Sequence, residues 1–336
     1  MTSTSRTHMS TAPDSDFAKL LQPAHKLTTP LPAEGDGTWP EAVHVWDEKE
    51  LDALAAAAFS GRPLLVRGEP GVGKSQLARA AAALLQWRLV YQVITPRFEP
   101  EHLKWRYDLV LRLSDATCKQ PVDIETRYIS PGVLWQALDP KGVQALTNKA
   151  GAGDGAPASA GCVLLLDEID KSDSDLPNSL LEVLANRAFH TPLGRVPADP
   201  KAQPQLLIVI TSNDERELPL AFLRRCVVLD LAPPESPPQA FVNWLLQRGA
   251  AQFPGLDAAV RKQAAVQVQV DRAATQPGQG ARPGGAEYLD LLAAVQGISP
   301  SAGEQKKWLK RLGRYVLRKQ GHQQDDTVGT AAEQED

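Results

Sequence analysis

One short glycine-rich segment carries side chains suited to phosphate chemistry. It runs from Gly68 to Ser75 with the sequence GEPGVGKS, and it matches the pattern G-x-x-x-x-G-K-[ST] at every fixed position. Glycines allow successive backbone N–H groups to point inward, and these groups can hold a phosphate at a helix N-terminus. Lys74 can supply positive charge to the β- and γ-phosphates, and the Ser75 hydroxyl is a suitable Mg²⁺ ligand. The segment therefore predicts a nucleotide site whose contacts are Gly68, Glu69, Pro70, Gly71, Val72, Gly73, Lys74, Ser75 and Gln76.

Two carboxylates follow a strongly apolar run further along the chain. The run Val163–Leu166 is followed directly by Asp167 and Glu168. Successive side chains of a strand point to opposite faces, so one carboxylate can serve a metal ion while the other faces a water molecule. We predict that Asp167 assists Mg²⁺, through metal-bound water or Ser75, and that Glu168 is the general base. A solvated strand end would carry the same residue types, but the nearby phosphate loop favours the catalytic interpretation.

These residues together resemble the AAA+ ATPases, and more closely their MoxR branch. The resemblance is carried by the segments 164–171 and 175–184, besides the phosphate loop, and it covers roughly residues 40–320. It is strongest for bacterial MoxR-type ATPases that work with von Willebrand factor A domain proteins. The resemblance implies an α/β AAA+ P-loop core, with a five-stranded parallel sheet flanked by helices, and a C-terminal all-α lid. It also implies ATP and Mg²⁺ as cofactors and ATP hydrolysis as the activity.

The resemblance assigns roles to four further polar residues. Asn213 follows a buried strand at the sensor 1 position, where its amide can donate to the γ-phosphate or to the attacking water. Arg224 and Arg225 both fit the arginine-finger segment, which reaches the nucleotide of a neighbouring subunit. We favour Arg225, with Arg224 assisting. Arg282 fits sensor 2 in the lid, although Gly284 follows it where the family often has Ser or Thr, which predicts a weakly capped helix start.

A finger that acts between subunits implies a ring, usually a hexamer, with ATP bound at the interfaces. The favoured function is a chaperone-like motor that remodels or activates a partner protein, plausibly one with a von Willebrand factor A domain. One alternative is a nucleotide-dependent scaffold or switch with little turnover. Another is a nucleic-acid-directed defence ATPase, because the last helix is basic. We disfavour nucleic acid as a partner, since the net charge is −4 and no known reader motif is present. The basic residues are Lys306, Lys307, Lys310, Arg311, Arg314, Arg318 and Lys319.

The segment before the acidic pair offers weaker candidates for contact with a substrate or partner. They are His102, Trp105, Arg106, Tyr107 and Trp135. Aromatic side chains more often pack in a core, and a single histidine is more often structural, so we favour those interpretations.

The elements that would position these residues follow from the pattern of apolar runs. Short continuous apolar runs at 63–67, 89–94, 162–166 and 206–211 indicate parallel strands covered on both faces. Helical patterns lie between them, for example over 74–87, and only helical patterns follow the proline-rich linker 232–238. We therefore predict a nucleotide-binding domain over 39–232 and a helical lid over 233–320.

Composition and the two ends of the sequence complete the expectations. Residues 1–38 are polar without an apolar signal region, and 321–336 are acidic, so we expect both to be disordered; we also expect a flexible insertion over 147–161. The 336 residues include three widely spaced cysteines, which favours a reducing cytoplasm. No run of about 18 apolar residues exists that could span a membrane.

Overall fold

The computed structural model describes residues 17–21, 27–33, 39–118, 125–149, 160–173, 175–199, 204–275 and 282–317. The chain divides into two compact units, Met1–Ala232 and Pro233–Asp336. Among the helices in the described ranges, none has the length and apolar character needed to cross a membrane.

The described elements are named in chain order. The strands are β1 Thr28–Leu31, β2 Ala42–Val45, β3 Leu64–Arg67, β4 Arg88–Val93, β5 Trp105–Tyr107, β6 Ile129–Pro131, β7 Gly161–Asp167, β8 Phe189–Thr191, β9 Gly194–Val196, β10 Gln205–Ser212 and β11 Val227–Asp230. The helices are α1 Glu48–Ser60, α2 Lys74–Leu85, α3 Leu109–Thr117, α4 Val133–Leu138, α5 Pro140–Lys149, α6 Asp175–Asn186, α7 Leu220–Leu223, α8 Pro238–Gln252, α9 Ala258–Ala274, α10 Gly285–Ile298 and α11 Ala302–Val316.

A five-stranded parallel sheet organises the first unit, in the order β11-β3-β10-β7-β4. Every residue of β7 is buried, as the continuous apolar run predicts. Its side chains alternate between two apolar clusters: Val163 and Leu165 pack on the face covered by α1 and α2, whereas Leu164 and Leu166 pack on the face covered by α4 and α6. The expected parallel sheet with helices on both faces is therefore confirmed.

The parallel arrangement brings the predicted site to one edge of the sheet. Strands β3, β7 and β10 are neighbours and run in the same direction. Their carboxyl ends lead into the phosphate loop, the acidic pair and Asn213 respectively. In parallel α/β sheets this edge is where ligands bind, because the loops there converge.

The expectation that residues 1–38 are disordered is wrong for two segments before Trp39. A 3₁₀ turn at Phe17–Leu21 and strand β1 precede it, and β1 pairs antiparallel with β2. Leu20 and Leu31 are each only 2% exposed, in the cluster that contains α1 and α2. Two well-placed leucines thus order chain segments that are polar on average. Residues 1–16, 22–26 and 34–38 lie outside the described residues.

Helices are the regular elements of the second unit within its described residues. Helices α8 to α11 enclose a core that includes Tyr288, Leu291, Val260 and Leu309, each with no exposed surface. The start of α10 is better capped than Gly284 suggested, because the Glu287 carboxylate accepts the Gly284 N–H at 2.9 Å. The predicted acidic tail lies outside the described residues, as does most of the predicted insertion (150–159), whereas 147–149 belong to α5 and Gly161 is the first residue of β7.

Candidate nucleotide site

Most of the predicted nucleotide contacts line one cavity. Its volume is about 250 Å³, and its walls are Pro70, Gly71, Gly73, Lys74, Ser75, Gln76, Asp167, Glu168 and Asn213. Three separate parts of the sequence thus converge on one space. Gly68 and Glu69 do not line it, but their carbonyl oxygens accept hydrogen bonds from Lys74 Nζ.

The phosphate loop depends on glycine at three positions. The φ angles of Gly68, Gly71 and Gly73 are 152°, 77° and 105°, in a region that side chains rarely adopt. A Cβ atom on Gly68 would also strike the Leu231 carbonyl oxygen at the end of β11. Gly73 is the N-cap of α2, so the first N–H groups of that helix lie beside the cavity. The sequence folds here into a loop that leaves backbone donors available to an anion.

Lys74 is held at the centre of the site by three oxygen atoms. Its Nζ donates to the Gly68 carbonyl at 2.7 Å, to the Glu69 carbonyl at 2.9 Å and to Asn213 Oδ1 at 2.7 Å. The residue is only 6% exposed. Burial lowers the pKa of Lys74 below its ordinary value, although the nearby carboxylates, Asp167 foremost, oppose the shift. The ammonium is positioned to meet an anionic ligand.

Ser75 and Asp167 form an oxygen-rich pair that suits a magnesium ion. Ser75 Oγ donates to the two carboxylate oxygens of Asp167 at 2.8 and 2.9 Å. Thr211 Oγ1 donates to the same carboxylate and accepts the Glu168 N–H at 2.8 Å, so it joins β10 to β7. Hydroxyl and carboxylate oxygens are the donors that Mg²⁺ prefers, and the donor set therefore fits that ion. The sequence analysis does not predict Thr211 as a site residue. Its signal in the sequence is a hydroxyl residue within the apolar run of β10, and the structure shows that Thr211 is fully buried.

Glu168 is engaged in a way that the sequence did not indicate. It adopts a left-handed backbone conformation, with φ 61° and ψ 48°, which separates its side chain from that of Asp167. Its Oε2 accepts from Lys171 Nζ at 2.6 Å, and its Oε1 accepts weakly from Asn213 Nδ2 at 3.4 Å. This hydrogen bond to Glu168 raises the pKa of Lys171. The predicted base thus lies at the cavity and is paired with a cation.

Two of the predicted arginines, Arg225 and Arg282, have hydrogen bonds within their own units. Arg224 and Arg225 follow α7 and are exposed, and neither lines the cavity that contains Lys74. The Arg225 guanidinium donates to the Ala221 carbonyl at 3.0 Å. Arg282 belongs to the second unit, where it donates to Glu235 Oε1 at 2.8 Å. The same oxygen accepts from the buried Arg272 at 3.2 Å, and these two arginines, Arg282 foremost, lower the pKa of Glu235.

The weaker candidates are mostly structural. Trp135 is 4% exposed and packs in the core, and Trp105 and Tyr107 pack against the same cluster. His102 pairs with Glu99 at 3.3 Å. Only Arg106 among these five residues is exposed.

Comparison with known proteins shows that the region containing this site matches a known domain family. Residues 63–226 match the family model described as AAA domain (dynein-related subfamily). No curated protein gives a significant match to the chain. Among solved structures, the RuvB Holliday junction branch migration motor of Thermotoga maritima is 16% identical, with a TM-score of 0.41, over 84% of this chain and 73% of that chain. A mutant of the same RuvB is also 16% identical, with a TM-score of 0.42, over 79% and 69% of the two chains.

Proposed function

We propose that this AAA domain binds and hydrolyses ATP. The observation that carries the proposal is the convergence on one cavity of Lys74, Ser75, Asp167, Glu168 and Asn213. A cation, an oxygen pair for a metal, a carboxylate that can accept a proton and a neutral amide are the groups that phosphoryl transfer to water requires.

Each group has a distinct task in the proposed reaction. Lys74 and the N–H groups of the loop bind and orient the phosphates, and Ser75 with Asp167 would hold Mg²⁺. When bound, Mg²⁺ neutralises the charge that develops on the phosphate oxygens. Glu168 accepts a proton from the attacking water once it has left Lys171, and Asn213 orients that water or the γ-phosphate.

We further propose that the active sites are completed between subunits of a ring. Two observations support this: Arg224 and Arg225 are exposed, and they lie outside the cavity of their own chain. An arginine contributed by a neighbour would stabilise the charge on the transferred phosphate. In the second unit, Arg282 would touch the phosphate as sensor 2. The motifs around 164–184 support the MoxR branch and a chaperone-like action on a partner with a von Willebrand factor A domain.

The test is steady-state ATP turnover by wild type and by Glu168→Gln. We expect the substitution to lower kcat by about a hundredfold or more with little change in ATP affinity, because it removes the proton acceptor but keeps the shape. Glu182→Gln, an exposed acid on α6, is the matched control and should behave as wild type. A wild type that turns over ATP no faster than Glu168→Gln would refute the proposal.

The second candidate function is a nucleotide-dependent switch with little turnover. The Glu168–Lys171 ion pair favours it, because a carboxylate bound to an ammonium is not free to accept a proton. Such a switch would assemble with ATP equally well in wild type and in Glu168→Gln, and a turnover difference between the two would exclude it.

A further inference from the structure

A buried carboxylate beside the proposed active site has no task in the reaction described above. Asp170 lies in the 3₁₀ turn Ile169–Lys171 that follows β7, and it is only 1% exposed. Its Oδ2 accepts two backbone N–H groups, from Asn213 at 3.0 Å and from Glu215 at 2.9 Å. Its Oδ1 is buried without a hydrogen-bond partner among the described residues. Burying a carboxylate is costly, so its retention here calls for a reason in the loop that it binds.

The loop that Asp170 binds carries the amide at the centre of the site. Asn213 Oδ1 accepts from Lys74 at 2.7 Å, and its Nδ2 donates weakly to Glu168 at 3.4 Å. The side-chain amide is therefore the bridge between the phosphate-binding lysine and the proposed base. Its position depends on the backbone at 213, where β10 ends and a turn with a left-handed Asp214 begins.

We propose that Asp170 is the positioning residue for Asn213. One carboxylate oxygen ties two N–H groups of the turn after β10 to the end of β7, and so fixes where the Asn213 amide lies. The negative charge of Asp170 also opposes the lowering of the pKa of Lys74, the lysine that donates to the Asn213 amide. Asp170 does not line the cavity that would hold the phosphates, so in this proposal it acts through the turn. This inference rests on the proposed ATP hydrolysis.

A second set of hydrogen bonds joins the turn after β10 to the segment after β7 and provides a matched control. Arg216 donates to Asp173 Oδ1 at 3.2 Å and to the Ser172 carbonyl at 3.3 Å. Asp173 is exposed and does not contact Asn213, so Asp173→Ala removes a tie between these segments without releasing the amide. It should leave ATP turnover unchanged.

The experiment is a double-mutant cycle on ATP turnover in the full chain. We expect Asp170→Ala to lower kcat by about tenfold or more while the Kd for ATP stays within about threefold. In an Asn213→Ala background, the same substitution should lower kcat by less than about twofold, because the residue through which it acts is already absent. The inference would be overturned if the substitution lowered kcat by the same factor in both backgrounds, or if Asp170→Ala left kcat unchanged.

Two further variants distinguish a loss of Asn213 positioning from a loss of folding. Asp170→Asn keeps an oxygen acceptor and should hold kcat within about threefold of wild type, and a loss equal to that of Asp170→Ala would overturn the inference. If circular dichroism shows that Asp170→Ala does not fold, Asp170→Leu, which fills the space without an acceptor, replaces it in the cycle. A wild type without turnover refutes the proposed function itself, whereas equal factors in an active enzyme refute only the role of Asp170.

Discussion

At the scale of single residues, the site is a network of charges in which each group has its position fixed by another. Lys74 is held by two loop carbonyls and by Asn213, Asp167 is held by Ser75 and Thr211, and Glu168 is held by Lys171. Hydrogen bonds to charged groups are the stronger ones in proteins, so these contacts orient the reactive groups before a nucleotide arrives. The Glu168–Lys171 pair is the exception, because it engages the proposed general base.

Removing that pair should release the base. We expect Lys171→Gln to raise basal ATP turnover by about threefold, since Glu168 no longer has to break a charge-assisted hydrogen bond before it accepts a proton. The control is Lys307→Gln, which removes a comparable ion pair three residues from its acid on α11, where Lys307 lies 2.7 Å from Glu304. Phosphate release at saturating ATP measures both variants. A lower turnover in Lys171→Gln would mean that Lys171 assists catalysis instead.

Two buried thiols make stability sensitive to alkaline pH. Burial raises the pKa of Cys162 and of Cys226 from 9.0 to about 11. The folded state keeps these thiols neutral, so their contribution is complete below pH 9 and is lost between about pH 9 and pH 11. At pH 10.5 the loss is about 2 kcal/mol for each thiol. Urea unfolding should show that Cys162→Ala loses less stability than wild type between pH 8 and pH 10.5, whereas Cys118→Ala, at an exposed position, loses as much.

At the scale of elements, the parallel strands and the glycine loop place these residues together. Strand β3 leads into the loop, and strands β11 and β10 lie on either side of β3. The loop turns at Gly68, where the backbone passes against the end of β11. Close packing between two backbones leaves no room for relaxation, which makes this position a sensitive test of the architecture.

We expect Gly68→Ala to destabilise the protein by about 2 kcal/mol or more. The φ of 152° strains any side chain, and the new Cβ would strike the Leu231 carbonyl oxygen. Gly297→Ala on α10 is the control, because a Cβ there meets nothing within 4 Å and alanine favours a helix. Urea unfolding at neutral pH compares the two variants. A Gly68→Ala protein as stable as the control would show that the loop does not pack as described.

The sequence predicts the central sheet well because its strands are signalled locally. Runs such as 164–166 are apolar without interruption, and a strand covered on both faces buries every residue of such a run. Strand β1 was missed because its four residues, Thr-Thr-Pro-Leu, form no apolar run and include a proline. Its order depends on pairing with β2, which is a contact between distant parts of the chain.

The candidate site also combines residues that local motifs signal with residues that depend on contacts between distant parts of the chain. The phosphate loop and the acidic pair are contiguous motifs, so their proximity to Asn213 follows once the strands are parallel. Thr211, Asp170 and Lys171 belong to no motif that signals their partners. Thr211 acts on Asp167 across 44 positions, and Asp170 acts on the Asn213 backbone across 43 positions. Such contacts depend on the register of β10 against β7, which local patterns do not specify.

At the scale of the whole molecule, active sites shared between subunits require more than one copy of the chain. In our proposal the cavity holds the phosphates and the base, and the exposed Arg225 serves the cavity of a neighbour. Each active site then needs Glu168 from one subunit and Arg225 from the next. Two variants that are each inactive can therefore complement each other within a ring, because some interfaces receive both intact residues.

Mixing Glu168→Gln with Arg225→Ala tests whether ATP is hydrolysed at sites shared between subunits. Each variant alone should show almost no ATP turnover. After dissociation and reassembly at equal amounts, about a quarter of the interfaces combine an intact Glu168 with an intact Arg225, so we expect about a quarter of wild-type turnover. Exchange of a fluorescent label would show that the reassembled rings contain both variants. If such a mixture is no more active than either variant alone, the active sites are not shared between subunits.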